Sequence, residues 1–312
     1  MKKILITGKA GLVGSALVRS YGSQLGYTTV STDSKDLDLL DRRRVNDFLD
    51  NEKPDSIIMA AARVGGIKAN VDSPATFIVD NTFMQTNLLA GADRVGVSRL
   101  VFLASACVYP LSAEFPLVES DLMSGDVEPT TKPYAIAKIL GIEMIKAYAT
   151  QEGRDWISVI PSNIYGPGDN FQSGDSHVMA SLMLKFLSAV KNGDSTVEVW
   201  GSGKAMREFT HVDDLAEGIK VAESFYHSAQ PINIGSGHEV SIAELAELIL
   251  GISGFQGRLV FDSSKPDGAP RKLQDSSKIN SLGWTSKIAL SAGIEQTYSW
   301  LEKNLPLGRV RT

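Results

Sequence analysis

Five residues of this chain have side chains that can act together at a carbonyl group: Ser105, Cys107, Tyr134, Lys138 and His177. A tyrosine needs help to act as an acid near neutral pH, because its ordinary pKa is about 10. Lys138 lies four residues after Tyr134, so on a helix the two share a face, and the ammonium charge is expected to lower the pKa of the phenol. This pair predicts hydride transfer at a carbonyl. Cys107 and His177 add two groups for proton transfer, which would allow one site to isomerise and to reduce its substrate.

Each of these residues also has a plainer interpretation. Cys107 follows a predicted buried strand, where a single cysteine is more often a small packed side chain than a catalyst. His177 taken alone is more often a surface or structural histidine, and Ser105 can simply end a strand. A Tyr-x-x-x-Lys match occurs by chance on many surface helices. The catalytic interpretation therefore depends on the elements that position these residues.

A glycine-rich turn near the N-terminus provides the first of these elements. Residues 3–7 read as a buried parallel strand, and a helix is expected to begin near Ser15. Between them lie Gly8, Lys9, Ala10, Gly11, Leu12, Val13 and Gly14. Glycines at this spacing allow a tight turn, close approach to a pyrophosphate and close packing of helix on strand. The helix N-terminus offers free N–H groups to phosphate, so the turn predicts a dinucleotide site.

Strands and helices alternate along the rest of the first half of the chain. Strands are predicted at 27–32, 56–61, 99–105 and 156–161, and helices at 45–51, 77–94 and 133–148. This alternation is typical of a doubly wound parallel Rossmann sheet, an α/β fold. Turn residues become frequent after Tyr165, which predicts a second, smaller α/β substrate lobe. We expect residues 1–165 and 212–238 to form the dinucleotide-binding domain, and residues 166–211 and 239–312 to form the substrate-binding domain.

Composition limits the classes of function. The chain has 312 residues, of which 43% are hydrophobic, and can bury a large core. A net charge of -5 without a basic run argues against a nucleic-acid partner. No apolar stretch reaches about 18 residues and no signal peptide is recognised, so no membrane partner is expected. With one cysteine no intrachain disulfide can form, and a cytoplasmic location is predicted. No cluster has metal-ligand spacing, so no metal is predicted.

The motifs together resemble the extended short-chain dehydrogenase/reductase superfamily and, within it, the GDP-L-fucose synthase family. Besides the glycine turn and the Tyr/Lys pair, the likeness rests on segments spread over nearly the whole chain: Val64-Gly-Gly-Ile67, Cys107-Val-Tyr-Pro110, Glu128-Pro-Thr130, Asn163-Ile-Tyr-Gly-Pro167, Asp169-Asn-Phe171, Val199-Trp-Gly-Ser-Gly203, Arg207-Glu-Phe209 and Lys265-Pro-Asp-Gly268. Three positions depart from the family pattern, at Ala106, Ser162 and Gly168. Because of these departures, the substrate could also be a related deoxysugar or a stereochemical variant.

The resemblance implies an enzyme that epimerises C3 and C5 of GDP-4-keto-6-deoxy-D-mannose and reduces C4 with NADPH to give GDP-L-fucose. It implies catalytic roles for Ser105, Cys107, Tyr134, Lys138 and His177. Cofactor contacts beyond the glycine turn are implied at Asp33, Lys35, Leu103, Ala104, Lys138, Pro161, Ser162, Asn163, Ile164 and His177. Contacts to the GDP-linked substrate are implied at Lys185, Trp200, Arg207, Asp267 and Lys272. It also implies a homodimer formed by helices 77–94 and 133–148.

The cofactor preference is the point on which the residues disagree. An acidic residue just after the second strand usually bonds a ribose 2'-hydroxyl, as in NAD enzymes. In this chain that residue is Asp33. Ala10 lies where some relatives carry an Arg for the NADPH 2'-phosphate. Lys9 and Lys35 offer positive charge for that phosphate instead. We predict NADP(H), with NAD(H) as the alternative.

Other functions within the superfamily and outside it remain possible at this stage. A redox-neutral 4-epimerase would share the fold and the Tyr/Lys pair but would not need Cys107 and His177. A 4,6-dehydratase usually has an Asp-Glu pair just after the Ser region, where this chain has Ala106 and Cys107. A cofactor-sensing binding protein without catalytic activity would be expected to lose the Tyr/Lys pair. The alternative that remains is another nucleotide-sugar epimerase/reductase, such as a 4-epimerase or a related deoxysugar synthase.

Overall fold

A computed structural model describes residues 1–22, 24–172, 176–265, 267–308 and 310. The strands, in chain order, are β1 (Lys2–Thr7), β2 (Tyr27–Thr32), β3 (Ser56–Met59), β4 (Arg99–Leu103), β5 (Asp155–Pro161), β6 (Asn163–Tyr165), β7 (Thr196–Trp200), β8 (Met206–His211), β9 (Ile232–Ile234), β10 (Glu239–Ser241) and β11 (Arg258–Asp262). Six of them form one sheet in the order β2-β1-β3-β4-β5-β9, and every pairing in it is parallel. The predicted doubly wound parallel sheet is confirmed.

Helices cover both faces of this sheet. In chain order they are α1 (Leu12–Gly22), α2 (Arg42–Glu52), α3 (Ile67–Asp72), α4 (Pro74–Arg94), α5 (Lys132–Glu152), α6 (Val178–Asn192), α7 (Val212–Phe225), α8 (Ile242–Ser253), α9 (Ser277–Ser281) and α10 (Leu290–Asn304). Successive side chains of a strand point to opposite faces. Ile4 and Ile6 therefore pack into a core with α1 and α7, while Leu5 packs into a second core with α2, α4 and α5.

A third core lies outside the large sheet. It contains buried apolar residues of α6, α8 and α10 together with residues of β7 and β8. Two small sheets accompany it, one in the order β10-β8-β6 and one that pairs β11 with β7. In the first of them β6 runs parallel to β8, so the chain that leaves β5 joins this part at once. No helix among the described residues is long and apolar enough to cross a membrane.

The carboxyl ends of the parallel strands form the edge where ligands bind in sheets of this kind. At this edge the order reverses between β1 and β3: β2 lies on one side of β1, and β3 and the later strands lie on the other. The chain after β1 is the glycine turn. The chain after β4 carries Ser105 and Cys107. The topology therefore brings the two segments singled out in the sequence to one edge.

The predicted bounds differ from the structure mainly at this edge. Helix α1 begins at Leu12 rather than near Ser15, so Gly14 lies inside its first turn. Strands predicted to reach residues 61 and 105 end at Met59 and Leu103, because the chain there leaves the sheet to line the site. Pro266, in the Lys265-Pro-Asp-Gly268 motif, lies outside the described residues.

Candidate active site

The glycine turn closes tightly against the end of β3. Gly8 has a φ of +78°, and a Cβ at this residue would lie 2.9 Å from the Ala61 backbone. A Cβ at Gly14 would lie 2.0 Å from the Gly8 carbonyl oxygen. Neither position admits a side chain without moving backbone. The turn thus brings the N-terminus of α1 against β1 at the point where the strand order reverses, and the exposed backbone of Ala10 and the N–H groups of α1 fit a pyrophosphate.

Asp33 and Lys9, beside this turn, already have partners within the chain. The Asp33 carboxylate accepts hydrogen bonds from the backbone N–H groups of Lys35, at 2.8 Å, and Asp36, at 3.3 Å. Lys9 Nζ lies 2.6 Å from Asp36 Oδ2, and this pairing raises the pKa of Lys9 and lowers that of Asp36. Asp33 is therefore held within its own turn, and Lys9 and Lys35 stand at the end of β2.

Tyr134 and Lys138 share one face of α5, as predicted. Lys138 is buried, and its Nζ donates to the Leu103 carbonyl at 2.8 Å. The same nitrogen lies 4.8 Å from the Phe102 ring centroid and 5.8 Å from that of Tyr134. Burial lowers the pKa of Lys138 to about 8. Burial also raises the pKa of Tyr134, so the shift is opposite to the one expected from Lys138.

Ser105 and Cys107 lie where β4 ends. A single 3-10 turn, Ala106–Val108, follows Ser105 and places Cys107 half-buried in the same pocket. The Ser105 hydroxyl acts on both Tyr134 and Cys107 and lowers the pKa of each. Burial raises the pKa of the Cys107 thiol, while Lys272 and Lys138 lower it. Four of the five predicted catalytic residues are thus brought together.

His177 is the fifth. It is exposed and immediately precedes α6, in whose first turn the Ser181 N–H bonds to the His177 carbonyl at 2.9 Å. Residues 173–175, just before it, lie outside the described part of the chain. Its catalytic role stays a prediction.

The other predicted cofactor residues lie along the same edge of the sheet. The Ala104 N–H bonds to the Val159 carbonyl at 2.8 Å, which fixes the chain leaving β4 beside β5. The Ser162 hydroxyl lies 2.7 Å from the Thr210 hydroxyl, and Asn163 Nδ2 donates to the Glu208 carbonyl at 2.7 Å. Residues Pro161, Ser162, Asn163 and Ile164 therefore connect the large sheet to β8.

The predicted substrate residues fall into an outer and an inner group. In the outer group, Trp200 is 58% exposed, with Lys185 Nζ and Lys265 Nζ at 5.2 and 5.7 Å from its ring centroid. Asp267 accepts from the Ser202 backbone and hydroxyl, which lowers its pKa. Exposed tryptophan flanked by ammonium groups is a surface on which a base or sugar can stack.

The inner group consists of Arg207 and Lys272. Burial lowers the pKa of both, while the charge of Glu128 raises the pKa of both. Cys107 also raises the pKa of Lys272. Two half-buried cations suit a diphosphate, because a guanidinium fork and an ammonium match its oxygens.

Two acidic residues of the site were not predicted. Glu208 is buried and accepts from the Gly237 and Gln274 N–H groups at 2.7 and 3.0 Å, and burial raises its pKa to about 7. Glu128 is half-buried among the cations. Both lie in motifs quoted above, so the signal was present, but the sequence does not show that they are buried. Among the described residues no group of three or more His, Cys, Asp or Glu side chains could hold a metal ion.

Comparison with known proteins gives a consistent result. The model of the NAD dependent epimerase/dehydratase family matches residues 4–235. GDP-L-fucose synthase 1 of Arabidopsis thaliana is 49% identical over 304 residues, which are 97% of this chain and 94% of that protein. The NADP-bound structure of a GDP-L-fucose synthetase from Naegleria fowleri has a TM-score of 0.92 at 32% identity, covering 100% of this chain and 95% of that one. A GDP-6-OMe-4-keto-L-xylo-heptose reductase from C. jejuni has a TM-score of 0.91 at 33% identity, covering 97% of this chain and 98% of that one.

These matches agree with the motifs and with the geometry of the site. They extend over nearly the full length of the chain and of each relative. The chain belongs to the NAD dependent epimerase/dehydratase family and, within it, to the GDP-L-fucose synthases.

Proposed function

We propose that this enzyme converts GDP-4-keto-6-deoxy-D-mannose into GDP-L-fucose, by epimerisation at C3 and C5 followed by NADPH-dependent reduction at C4. The observation that carries the proposal is the position of the Cys107 thiol beside Ser105, Tyr134 and Lys138. A redox-neutral 4-epimerase needs the Tyr/Lys pair but no thiol at this place.

Each residue has a role that its surroundings allow. Carbons next to a ketone lose a proton only if the enolate that forms is stabilised, so donors must face the C4 oxygen. Ser105 and Tyr134 supply these donors, and Cys107 and His177 transfer protons at the ring carbons. Bound NADPH supplies the hydride for C4. Tyr134 gives its proton to the C4 oxygen, and the positive charge of Lys138 stabilises the phenolate that Tyr134 becomes.

We propose NADPH as the preferred cofactor. The Asp33 carboxylate is engaged by two backbone N–H groups of its own turn, which reduces its capacity to select a ribose 2'-hydroxyl. Lys9 and Lys35 supply cations near that turn, and the Naegleria fowleri relative binds NADP. A kcat/KM for NADH clearly above that for NADPH would contradict this preference.

Labelling in deuterated water tests the reaction. The enzyme is incubated with GDP-4-keto-6-deoxy-D-mannose and NADPH, and the product is analysed by mass spectrometry and NMR. Oxidation of the cofactor with deuterium at both C3 and C5 supports the proposal. Turnover without label at either carbon contradicts it and favours a plain C4 reductase, the activity named for the C. jejuni relative.

Two substitutions separate the chemical steps. Cys107→Ser should impair label uptake at the ring carbons, because a hydroxyl is a much weaker acid than a thiol. Tyr134→Phe should chiefly impair cofactor oxidation, because it removes the proton donor for the C4 oxygen. Loss of binding alone, equal in both variants, would contradict these roles.

The proposal includes the two-domain division given above, a cytoplasmic location and a homodimer. Helices α4 and α5 pack on each other and expose Val79, Phe83, Ile136 and Leu140, an apolar surface suited to a second copy of the same helices. Sedimentation velocity at micromolar concentration should show a dimer. Phe83→Glu should give a monomer, whereas Leu25→Glu, at an exposed leucine elsewhere, should not. A monomeric wild type would overturn this arrangement.

A further inference from the structure

The short 3-10 turn Ala106–Val108 carries Cys107 and is here called the Cys107 turn. Its own closure is weak, because the Tyr109 N–H reaches the carbonyl of the first residue of the turn only at 3.5 Å, beyond the usual range. On the upstream side, the Ala104 N–H bonds to the Val159 carbonyl of β5 at 2.8 Å. The position of the turn therefore depends on what holds its downstream side.

Tyr109, the residue that follows the turn, supplies a downstream anchor. It is 5% exposed, and its hydroxyl donates to Asn233 Oδ1 at 2.7 Å. Burial raises the pKa of Tyr109, so the hydroxyl keeps its proton and remains a donor. Asn233 is the middle residue of β9, where it pairs with Ile160 of β5. Both sides of the Cys107 turn are thus fixed to the same pair of strands.

The side-chain amide of Asn233 uses its full hydrogen-bonding capacity. Its Nδ2 donates to the Leu117 and Asp275 carbonyls, at 3.0 Å each. Its Oδ1 accepts from Gln274 Nε2 at 3.2 Å as well as from the Tyr109 hydroxyl. Two N–H donors and two lone pairs are all that a side-chain amide offers. The amide therefore cannot rotate without losing several bonds, and it presents a fixed acceptor to the tyrosine.

The same network reaches the strand that carries Arg207. The Gln274 N–H donates to Glu208 Oε2 at 3.0 Å, and Glu208 follows Arg207 in β8. Asn233 is thus linked both to the Cys107 turn and to the strand of a predicted diphosphate contact. Such a link restricts movement of the thiol relative to the strand that is predicted to anchor the substrate.

We propose that Asn233, acting through the Tyr109 hydroxyl, holds the Cys107 turn in the position from which the thiol exchanges protons with the ring carbons of the substrate. Asn233 and Tyr109 are then positioning residues, because both act through Cys107. The inference rests on the proposed function, in which Cys107 takes part in epimerisation. Proton transfer requires close approach, and a misplacement of about 1 Å can slow a reaction about 100-fold.

Replacement of Tyr109 by phenylalanine tests the proposal, since it removes the hydroxyl and keeps the ring. With GDP-4-keto-6-deoxy-D-mannose and NADP+ in deuterated water no reduction can occur, and label uptake at C3 and C5 of the substrate reports epimerisation alone. The rate of this uptake in Tyr109→Phe should fall about tenfold. Reduction is measured separately in reverse, as NADPH formed from GDP-L-fucose and NADP+. Its rate should change little, because Tyr134 and Lys138 lie on α5 and not on the Cys107 turn.

Tyr226→Phe provides the matched control. It also removes a tyrosine hydroxyl bond, to the Gln230 carbonyl at 2.9 Å. Tyr226 lies at the opposite edge of the sheet, where its carbonyl accepts from Arg99 at the start of β4. The control should therefore leave both rates unchanged.

Alkylation of Cys107 by iodoacetamide tests the position of the turn without any substrate. Cys107 is the only cysteine of the chain, so the rate reports this thiol alone. A turn released on one side should expose the half-buried thiol more often. Alkylation of Tyr109→Phe should be about fivefold faster, the effect of one ordinary hydrogen bond on an opening equilibrium. Tyr226→Phe should react like the wild type. If Tyr109→Phe does not fold, Asn233→Ser, which removes the acceptor, carries the same expectations.

Each outcome decides the inference. Unchanged label uptake or unchanged alkylation in Tyr109→Phe would overturn it, as would equal losses of label uptake and of reverse reduction. An equal loss of label uptake in Tyr226→Phe would assign the effect to general stability and would also overturn it. If the wild type takes up no label, the proposed function fails, and the alkylation rates alone decide whether Asn233 and Tyr109 hold the turn.

Discussion

Replacement of Gly14 by alanine tests the reasoning about the glycine turn. The new Cβ would lie 2.0 Å from the Gly8 carbonyl oxygen and 2.5 Å from its carbonyl carbon. Nonbonded carbon atoms settle at about 3.5–4.0 Å, so the turn or the helix must move by at least about 1 Å. The obstructing atoms are backbone, and no rotamer change can relieve the contact. Overpacking costs typically about 1–3 kcal/mol, and the rigid neighbour puts this case near 3 kcal/mol.

Gly22, at the other end of the same helix, provides the control. Nothing lies within 4 Å of a Cβ at this exposed residue. Gly22→Ala should therefore stabilise the protein by roughly 0.5 kcal/mol, because the unfolded chain loses conformational freedom. Both variants add one methyl group to one helix, so their difference isolates the contact with Gly8.

Urea denaturation and cofactor titration measure the two consequences. A loss of about 3 kcal/mol should lower the denaturation midpoint by about 1 M urea with an unchanged slope. NADPH binding, followed by its fluorescence, should weaken in Gly14→Ala because the displaced turn no longer fits the pyrophosphate. Equal stability and equal NADPH affinity in the two variants would refute the argument that Gly14 is required by its contact with Gly8.

Three further predictions concern charge. Because the pKa of Lys138 is lowered to about 8 and its ammonium is needed, kcat/KM for reduction should fall above about pH 8; a flat profile to pH 9.5 would contradict this. Lys9→Met should lower kcat/KM about tenfold with NADPH and little with NADH, through loss of a charge-assisted contact. The pKa of Glu208 is raised to about 7, so its contribution to stability is full below its unfolded pKa and is lost as pH rises through 7. Urea denaturation at several pH values measures this. Between pH 4.5 and 8, the free energy of unfolding of Glu208→Gln should rise by about 3 kcal/mol relative to that of the wild type.

The first half of the fold could be predicted because its pattern is local. Strand β2 has the predicted bounds, and the predicted helices α4 and α5 each extend only a few residues further in the structure. Strand β2 is rich in β-branched residues, and α5 repeats apolar residues at four-residue spacing. The start of α1 was predicted too late, because a glycine usually indicates a turn, and Gly14 is helical for a tertiary reason: α1 must lie against the Gly8 carbonyl.

The second part of the chain was predicted far less completely. Helices α6 and α8 and strand β8 were not identified. Strand β8 gains its partners from distant segments, β6 on one side and β10 on the other, together with residues 270–272. Its residues Met206-Arg-Glu-Phe-Thr-His211 show no strict alternation of apolar and polar side chains. Tertiary hydrogen bonds, rather than local preference, fix such a strand.

The residues of the site could be identified from the sequence, but not all of their contacts could. Residue types and motif spacing identified Tyr134, Lys138, Ser105 and Cys107, and the structure brings them together. The burial of Glu208 could not be predicted, because it depends on hydrogen bonds from Gly237 and Gln274, which lie far away in the sequence. A glutamate in a motif indicates a polar group, and only the fold shows that burial raises its pKa.

The raised pKa of Tyr134 changes the interpretation of the Tyr/Lys pair. The sequence suggested that Lys138 would favour the phenolate, but burial dominates and keeps the phenol protonated. A donor for the C4 oxygen must hold its proton until negative charge develops beside it, so a phenolate formed early would be unable to act. Lys138 is held by the Leu103 carbonyl, 5.8 Å from the Tyr134 ring, and its charge is available when the phenol gives up its proton. In the proposed mechanism, burial thus maintains the acid, and the lysine stabilises the anion that remains after the transfer.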